Sequence, residues 1–376
     1  MKVLMADLKA QYQSIRDEID GAVAGVMQGG RFVLGDNVKT LEQQVAEFCG
    51  ADFGIGVASG TDALILALSA VGIREGDEVI TVPFTFVSTV EAISLLGARA
   101  VFVDVDPRTL NIDAADVESK ITRKTRAILP VHLYGQVVDV DTISKIAHRY
   151  ELRAVWDGAQ AIGAEYNGQP IGCFGDAVAL SFFPTKNLGA AGDGGMILTN
   201  DSDLAEKLRF IRFHGSGGTY SYRYVGYCSR LDELQAAILR AKLPHLKRWT
   251  DIRRRNAGTY NKLLADLDIV LPMEAPGNKH VYHQYTVRTK RRDELRVCLK
   301  SREIDTGVYY PGPLHFEEAY KYLGYSEGDF PEAEKACHEV LSLPIHPELT
   351  DEQMAHVGSS VRSFLEQCRP ATLIGE

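Results

Sequence analysis

The chain has 376 residues, of which 45% are hydrophobic and 24% charged, a composition typical of a soluble globular protein. Its 41 basic residues against 50 acidic ones give a net charge of −9, which argues against a nucleic-acid-binding protein. No apolar run has the length of a bilayer span, no signal peptide is recognisable, and the six cysteines form no CxxC pair. We therefore expect a cytoplasmic protein with no membrane segment and no metal site.

Strands and helices alternate through the first two hundred residues. Helical spacing of apolar residues predicts one helix from Leu8 to Val26 and another from Val38 to Phe48. The strands that follow are predicted at residues 53–59, 78–84, 100–105, 127–133, 153–156, 177–183 and 196–199, and helices at 61–71, 87–96 and 140–150. This alternation predicts an α/β fold with a mainly parallel sheet covered by helices on both faces. Ligands bind beyond the carboxyl ends of the strands in such sheets.

The pattern changes after residue 200. Helices are predicted at residues 204–213 and 230–243, followed by a long charged helix to about Leu264. Beyond Leu271, predicted strands at 284–288 and 307–310 mix with helices at 292–301 and 331–341. We predict an N-terminal helical segment (1–30), a large α/β domain (31–250) and a small C-terminal α+β domain (251–376).

Several polar residues lie at predicted strand ends. Lys186 stands between an apolar run and a glycine-rich loop, as either a solvated charge or a buried nucleophilic amine. The turn from Ser59 to Thr61 is either an ordinary helix cap or a phosphate site at a helix N-terminus. Asp157 is a turn residue or a functional carboxylate, and Phe86 is a core aromatic or a stacking platform. Together these residues match pyridoxal phosphate, which needs a lysine, an acid at its pyridine nitrogen, phosphate donors and a flat apolar partner.

Ordered motifs along nearly the whole chain resemble those of the DegT/DnrJ/EryC1/StrS family of nucleotide-sugar aminotransferases. They are DLKAQY at 7–12, SGTDAL at 59–64, PFTFV at 83–87, PVHLYG at 130–135, DGAQA at 157–161, SFFPTKN at 181–187, SRLDELQAA at 229–237 and YPGPLH at 310–315. Each motif is weak alone, but their order is specific. The resemblance implies the type I, aspartate-aminotransferase fold of pyridoxal phosphate-dependent transferases.

The resemblance also implies roles for individual cofactor-binding residues. Lys186 matches the Schiff-base lysine and proton carrier, Asp157 the carboxylate at the pyridine nitrogen, and Gln160 the amide near the ring hydroxyl. Phe86 matches the aromatic that stacks on the ring. The phosphate positions are matched by Gly60, Thr61 and Ser181.

Further roles imply a homodimer with shared active sites. Arg230 matches a residue that reaches the substrate's phosphates from the second subunit, and Tyr309 and Tyr310 match a substrate-binding pair. Arg212 is a candidate for the carboxylate of the amino donor. Cys228 stands where the family commonly has an asparagine that reaches the cofactor phosphate from the second subunit, and a thiol is a weak donor.

The implied reaction moves an amino group from an amino acid, L-glutamate by family usage, to a keto-sugar nucleotide, with a 3-keto sugar favoured over a 4-keto sugar. Pyridoxamine phosphate would carry the amino group between the two substrates. An aminotransferase acting on a cyclitol ketone has the same motifs, and a non-catalytic binding or regulatory protein can have the same fold. A dehydratase branch of the family has histidine in place of the lysine, so Lys186 argues against that activity.

Overall fold

A seven-stranded sheet forms the centre of the computed structural model, which describes residues 1–218 and 220–366. Cys368 and the end of the predicted C-terminal domain lie outside these residues. The strands are β1 (Phe53–Val57), β2 (Glu78–Thr81), β3 (Arg99–Phe102), β4 (Thr125–Ile128), β5 (Arg153–Asp157), β6 (Glu165–Tyr166), β7 (Gln169–Pro170), β8 (Ala177–Ser181), β9 (Gly195–Thr199), β10 (Ser216–Gly218), β11 (Ser221–Tyr222), β12 (Asn278–Lys279), β13 (Tyr285–Arg288) and β14 (Val340–Leu343). The central order is β1-β9-β8-β5-β4-β2-β3, with β9 antiparallel to both its neighbours and the other pairs parallel.

Helices cover the sheet and build the C-terminal part. They are α1 (Leu8–Ser14), α2 (Arg16–Gly29), α3 (Asp36–Cys49), α4 (Gly60–Ala70), α5 (Ser88–Leu95), α6 (Val140–Arg149), α7 (Ser202–Ile211), α8 (Glu233–Lys242), α9 (Leu246–Leu264), α10 (Arg292–Ser301), α11 (Pro331–Glu339) and α12 (Asp351–Glu366). In the described part of the chain, no helix is long and apolar enough to cross a membrane.

The structure corrects three predicted elements. The first helix is broken at Ile15, whose backbone leaves the helical region. Residues 307–310 form no strand, and only Gly307 makes a bridge, to Ser342. The predicted helix at 331–341 ends at Glu339, and the buried residues of β14 pair with β13 instead. A short apolar run fits a helix or a strand equally well until a hydrogen-bonding partner is available.

Two large hydrophobic clusters organise the described residues. The first surrounds the central sheet and includes Trp156, Phe102 and Phe182. The second is built from the C-terminal elements and also takes in Val3 from the start of the chain. The division at residues 30 and 250 stays a prediction, because the segment from Leu314 to Val340 contributes to the first cluster.

Candidate active site

A cavity of about 450 Å³ lies at the edge of the sheet where the parallel strands end. β5 ends at Asp157 and β8 at Ser181, while the residues after β1 and β2 form the opposite walls. Most of the predicted site residues line this cavity: Gly60, Thr61, Phe86, Asp157, Gln160, Ser181, Lys186, Tyr309 and Tyr310. The topology therefore brings together residues that are up to 250 positions apart in the chain, from Gly60 to Tyr310.

Lys186 lies in the cavity wall, and the pKa of its side-chain amine is lowered. Burial lowers the pKa of Lys186 from 10.5 to about 8, and the nearby Asp157 carboxylate partly opposes this change. Lys242 donates from Nζ to the carbonyl of Gly189 over 2.7 Å, which holds the loop that follows Lys186. About a tenth of Lys186 is therefore a free amine at pH 7, far more than for a lysine of ordinary pKa, and a nucleophile or proton carrier requires this form.

Asp157 is a buried carboxylate, only 5% exposed, that is held from two sides. The hydroxyl of Thr89 donates to one oxygen over 2.8 Å, and the backbone N–H of Ala159 donates to the other over 3.1 Å. Burial raises the pKa of Asp157, while these hydrogen bonds and the positive charge of Lys186 act in the opposite direction. Asp157 thus offers the cavity a fixed acceptor for a positively charged donor.

The N-terminus of α4 forms one end of the cavity. Ser59 caps this helix, since its hydroxyl accepts from the backbone N–H of Asp62 over 3.1 Å. Gly60 packs so closely on β8 that a Cβ there would lie 2.7 Å from the Cβ of Ser181. Thr61 presents a hydroxyl at the same end, paired with the hydroxyl of Ser88 at 2.7 Å. Free N–H groups, hydroxyls and the positive end of the helix dipole suit a phosphate group.

Gln160 and the aromatic residues form the other walls. The side-chain oxygen of Gln160 accepts from the backbone N–H of Tyr134 over 2.7 Å, so its amide nitrogen points away and donates to the Tyr310 hydroxyl over 3.2 Å. The ring of Phe86, 55% exposed, lies 6.1 Å from the ring of Tyr310 between centroids. Tyr134 also donates from its hydroxyl to the backbone oxygen of Tyr309. Tyr310 therefore lies beside Gln160 in the wall of the cavity.

Arg212 does not reach the cavity, which corrects its interpretation as a ligand of the donor carboxylate. The side chain is 7% exposed and forms a buried ion pair with Glu42. It also donates to the backbone oxygen of Gly56 over 2.8 Å. These contacts stabilise the packing of α3 against β1 and leave the guanidinium no path to a substrate.

Cys228 and Arg230 also lie outside the cavity of their own chain. Cys228 is exposed, and Arg230 donates to its sulfur over 3.0 Å. The Arg230 guanidinium stacks on the Phe213 ring at 5.1 Å from the centroid. Their predicted roles in the site of a second subunit stay predictions.

Sequence reasoning missed Thr89, Asp193 and His283. Thr89 contacts the site through its hydrogen bond to Asp157, and its hydroxyl at the start of α5, three residues after Phe86, was a signal that could have been used. Asp193 lies in the glycine-rich loop after Lys186. His283 comes from the segment before β13, and nothing in its local sequence links it to Lys186.

The residues present fit pyridoxal phosphate. The start of α4 offers donors to a phosphate, Asp157 an acceptor to a protonated ring nitrogen, and Lys186 an amine to an aldehyde. Among the described residues, no group of three or more histidines, cysteines and acids is placed to hold a metal ion.

Known proteins share this chain's sequence and fold. A pleiotropic regulatory protein of Geobacillus stearothermophilus is 53% identical over 97% of this chain and 99% of its own length. The UDP-N-acetyl-3-dehydro-alpha-D-glucosamine 3-aminotransferase of Acidithiobacillus ferrooxidans is 46% identical over 96% of this chain and 97% of its own. The crystal structure of Streptomyces venezuelae DesV, in complex with a ketimine intermediate, has a TM-score of 0.96 and 45% identity, covering 97% of this chain and 99% of DesV.

These similarities confirm the predicted fold class, that of pyridoxal phosphate-dependent aminotransferases. The sequence model of the DegT/DnrJ/EryC1/StrS aminotransferase family matches residues 13–362. The chain therefore belongs to the DegT/DnrJ/EryC1/StrS aminotransferase family, and it is a pyridoxal phosphate-dependent aminotransferase.

Proposed function

We propose that this enzyme transfers an amino group from L-glutamate to carbon 3 of a nucleotide-linked keto sugar. The observation that carries the proposal is one cavity that holds Lys186, Asp157 and the N-terminus of α4 together. A lysine of lowered pKa, a buried carboxylate and a phosphate-binding helix end are the parts that amino transfer on pyridoxal phosphate needs. The relative from Acidithiobacillus ferrooxidans, whose name specifies a 3-aminotransferase of a UDP sugar, supports the sugar substrate and the position.

When bound, pyridoxal phosphate supplies an aldehyde that condenses with amines and a ring that accepts electrons from the substrate's α-carbon. Lys186 would hold the aldehyde at rest, and once free its amine would take the α-proton of the amino acid and pass a proton to the aldehyde carbon of the cofactor. In the second half of the reaction the same amine would take a proton back from that carbon and give one to the sugar carbon. Asp157 would keep a proton on the ring nitrogen, and Thr89 holds the carboxylate in the orientation for this.

The remaining cavity residues bind and orient. We assign Gly60, Thr61 and Ser181 to the phosphate, where Gly60 and Ser181 pack side by side. We assign Phe86 to stacking on the ring, because its exposed face borders the cavity. The amide nitrogen of Gln160 donates one of its two hydrogens to the Tyr310 hydroxyl, and we assign the other to the ring hydroxyl.

We further propose a homodimer in which each subunit completes the other's site. Residues 220–228 carry exposed apolar side chains, among them Tyr222 and Val225, the latter 98% exposed. An exposed apolar patch of this kind marks a protein interaction site. Cys228 and Arg230 lie at the end of this segment, so burial of the segment against a second copy would bring them toward that copy's cofactor and substrate phosphates. Tyr309 and Tyr310 would meet the nucleotide from within the same chain.

Substrate trials test the reaction. The purified protein is incubated with glutamate and a panel of UDP- and dTDP-linked 3-keto and 4-keto sugars, together with a cyclitol ketone, and each amine is identified by mass and NMR. Lys186→Ala should lose both the absorption of the lysine-linked cofactor and all turnover. Amination of a 4-keto sugar or of the cyclitol alone would overturn the proposed substrate. Turnover of none of the ketones would favour a regulatory function, as named for the Geobacillus relative.

Subunit mixing tests the shared site. In the proposed arrangement each site takes Lys186 from one subunit and Arg230 from the other. A hybrid dimer of Lys186→Ala and Arg230→Ala therefore contains one intact site and one site that lacks both residues. Random exchange in an equal mixture should restore about a quarter of the wild-type sites. A monomer in solution, or a mixture no more active than its components, would contradict the proposed arrangement.

A further inference from the structure

His283 is a buried imidazole in the cavity wall that the proposed reaction has not used. It is 7% exposed and lines the same cavity as Lys186. The backbone brings it there from the segment between α9 and β13, about a hundred residues after Lys186 in the chain. A polar ring at this place requires a hydrogen-bonding role, because burial of an unused polar group is costly.

Hydrogen bonds determine which nitrogen of the ring carries the proton. The backbone carbonyl of Val281 can only accept, and the Asn187 amide nitrogen donates to it over 3.1 Å. The Asn187 amide oxygen therefore faces Nδ1 of His283, at 3.2 Å, and must accept from it. Nδ1 carries the hydrogen, and Nε2 is left as an acceptor and as the only polar ring atom for the cavity.

The ring is neutral under working conditions. Burial lowers the pKa of His283 well below its ordinary value, and the positive charges of Lys186 and Arg253 lower it further. A neutral ring keeps the lone pair on Nε2. The imidazole is therefore a fixed acceptor next to an amine.

We propose that His283 is a positioning residue for the catalytic lysine, and that its Nε2 accepts a hydrogen bond from the free Lys186 amine. A primary amine held by one N–H turns its lone pair in a defined direction, which proton transfer requires. No proton is exchanged between the two residues. The inference rests on the proposed function, because it gives Lys186 the role of proton carrier, and it adds to that function the means by which the released amine is oriented.

The cofactor-free protein gives a readout that does not depend on turnover. The rate of covalent cofactor uptake is measured by absorbance at a series of pH values. The pH at which this rate is half-maximal, the midpoint, reports the pKa of Lys186. An acceptor stabilises the ammonium form more than the amine, so its loss should make Lys186 more acidic. The other titratable groups are unchanged in this comparison: Asp157, Asp193, Tyr309 and Tyr310 around the cavity, and Arg253 and His280 near His283.

Two substitutions separate the two nitrogens of the ring. His283→Asn keeps a group at the position of Nδ1 but removes the acceptor at Nε2, and it should increase the acid dissociation constant of Lys186 about tenfold. His283→Gln places an amide oxygen near Nε2 and should restore most of the wild-type value. The same pair should differ in single-turnover deamination of glutamate, with His283→Asn slowed by about tenfold to a hundredfold. His356→Asn, remote from the cavity, is the matched control.

The outcomes are distinguishable. An unchanged midpoint in His283→Asn, or a midpoint moved to higher pH as expected on removal of a positive neighbour, would overturn the inference. If His283→Asn does not fold, Asn187→Ala takes its place, since release of Nδ1 should shift the midpoint in the same direction by a smaller amount. An unchanged midpoint there would overturn the inference as well. Absence of any covalent uptake in the wild-type protein would instead refute the proposed function.

Discussion

Lys186 and Asp157 form the charged centre of the cavity, and their coupling can be measured directly. The pKa of Lys186 is about 8, lowered by burial from 10.5, and the carboxylate of Asp157 acts against this decrease. At pH 8 about half of the lysine is free amine, on the order of a hundredfold more than for a lysine of ordinary pKa. Covalent uptake of pyridoxal phosphate by the cofactor-free protein should therefore rise with pH to a midpoint near 8.

Asp157→Asn isolates the contribution of the carboxylate. The substitution removes the negative charge that stabilises the ammonium form of Lys186, so the pKa of Lys186 should fall below about 8 and the uptake midpoint should move to lower pH. The new amide oxygen can still accept the hydrogen bond that Thr89 now donates over 2.8 Å. The new amide nitrogen cannot accept from the Ala159 N–H, so the substitution removes that one hydrogen bond together with the charge.

In the assay, the cofactor-free protein and pyridoxal phosphate are mixed rapidly, and the absorption of the cofactor linked to lysine is recorded over time. Uptake by a simple blocked lysine under the same conditions corrects for the titration of the cofactor itself, and Lys186→Ala should show no covalent phase. A wild-type midpoint near the ordinary pKa of lysine would refute the argument from burial. A midpoint that rises, or does not move, in Asp157→Asn would refute the electrostatic coupling.

Three other substitutions test the surroundings of the site. Cys228→Asn should slow the loss of cofactor on dialysis, since an amide donates to phosphate better than a thiol does, and unchanged or faster loss would contradict that contact. Thr89→Val removes the hydroxyl that donates to one oxygen of Asp157, and it should lower the free energy of unfolding, measured with urea, by about 1–3 kcal/mol. An unchanged free energy would show that this hydrogen bond does not stabilise the fold. Gly195→Ala would place a Cβ 2.2 Å from the backbone oxygen of Ser59, and we expect the free energy of unfolding to fall by about 1–3 kcal/mol and the cofactor to be retained less tightly. Wild-type values would show that β9 and the residues after β1 move apart easily.

Local patterns predicted much of the fold because they depend on neighbouring residues. The predicted helix at 292–301 has the bounds of α10, and a helix cap, one of the two interpretations of the turn from Ser59 to Thr61, is found at Ser59 before α4. The reversed direction of β9 left no local signal, because a buried strand is equally apolar in either direction. The predicted helix at 331–341 was too long at its C-terminal end, because residues 340–343 form β14 and pair with β13.

The sequence by itself predicted several of the chemical groups that line the cavity and that they lie at strand ends. Lys186, Asp157 and Gly60 stand in ordered motifs, and parallel strands bring their carboxyl ends to one edge. Only the tertiary structure decided the partners of each group. Glu42 buries Arg212 away from the cavity, and Asn187 orients His283 toward it. Both outcomes depend on contacts between residues about a hundred or more positions apart, and hydrogen bonding and burial at that range leave no pattern in the local sequence.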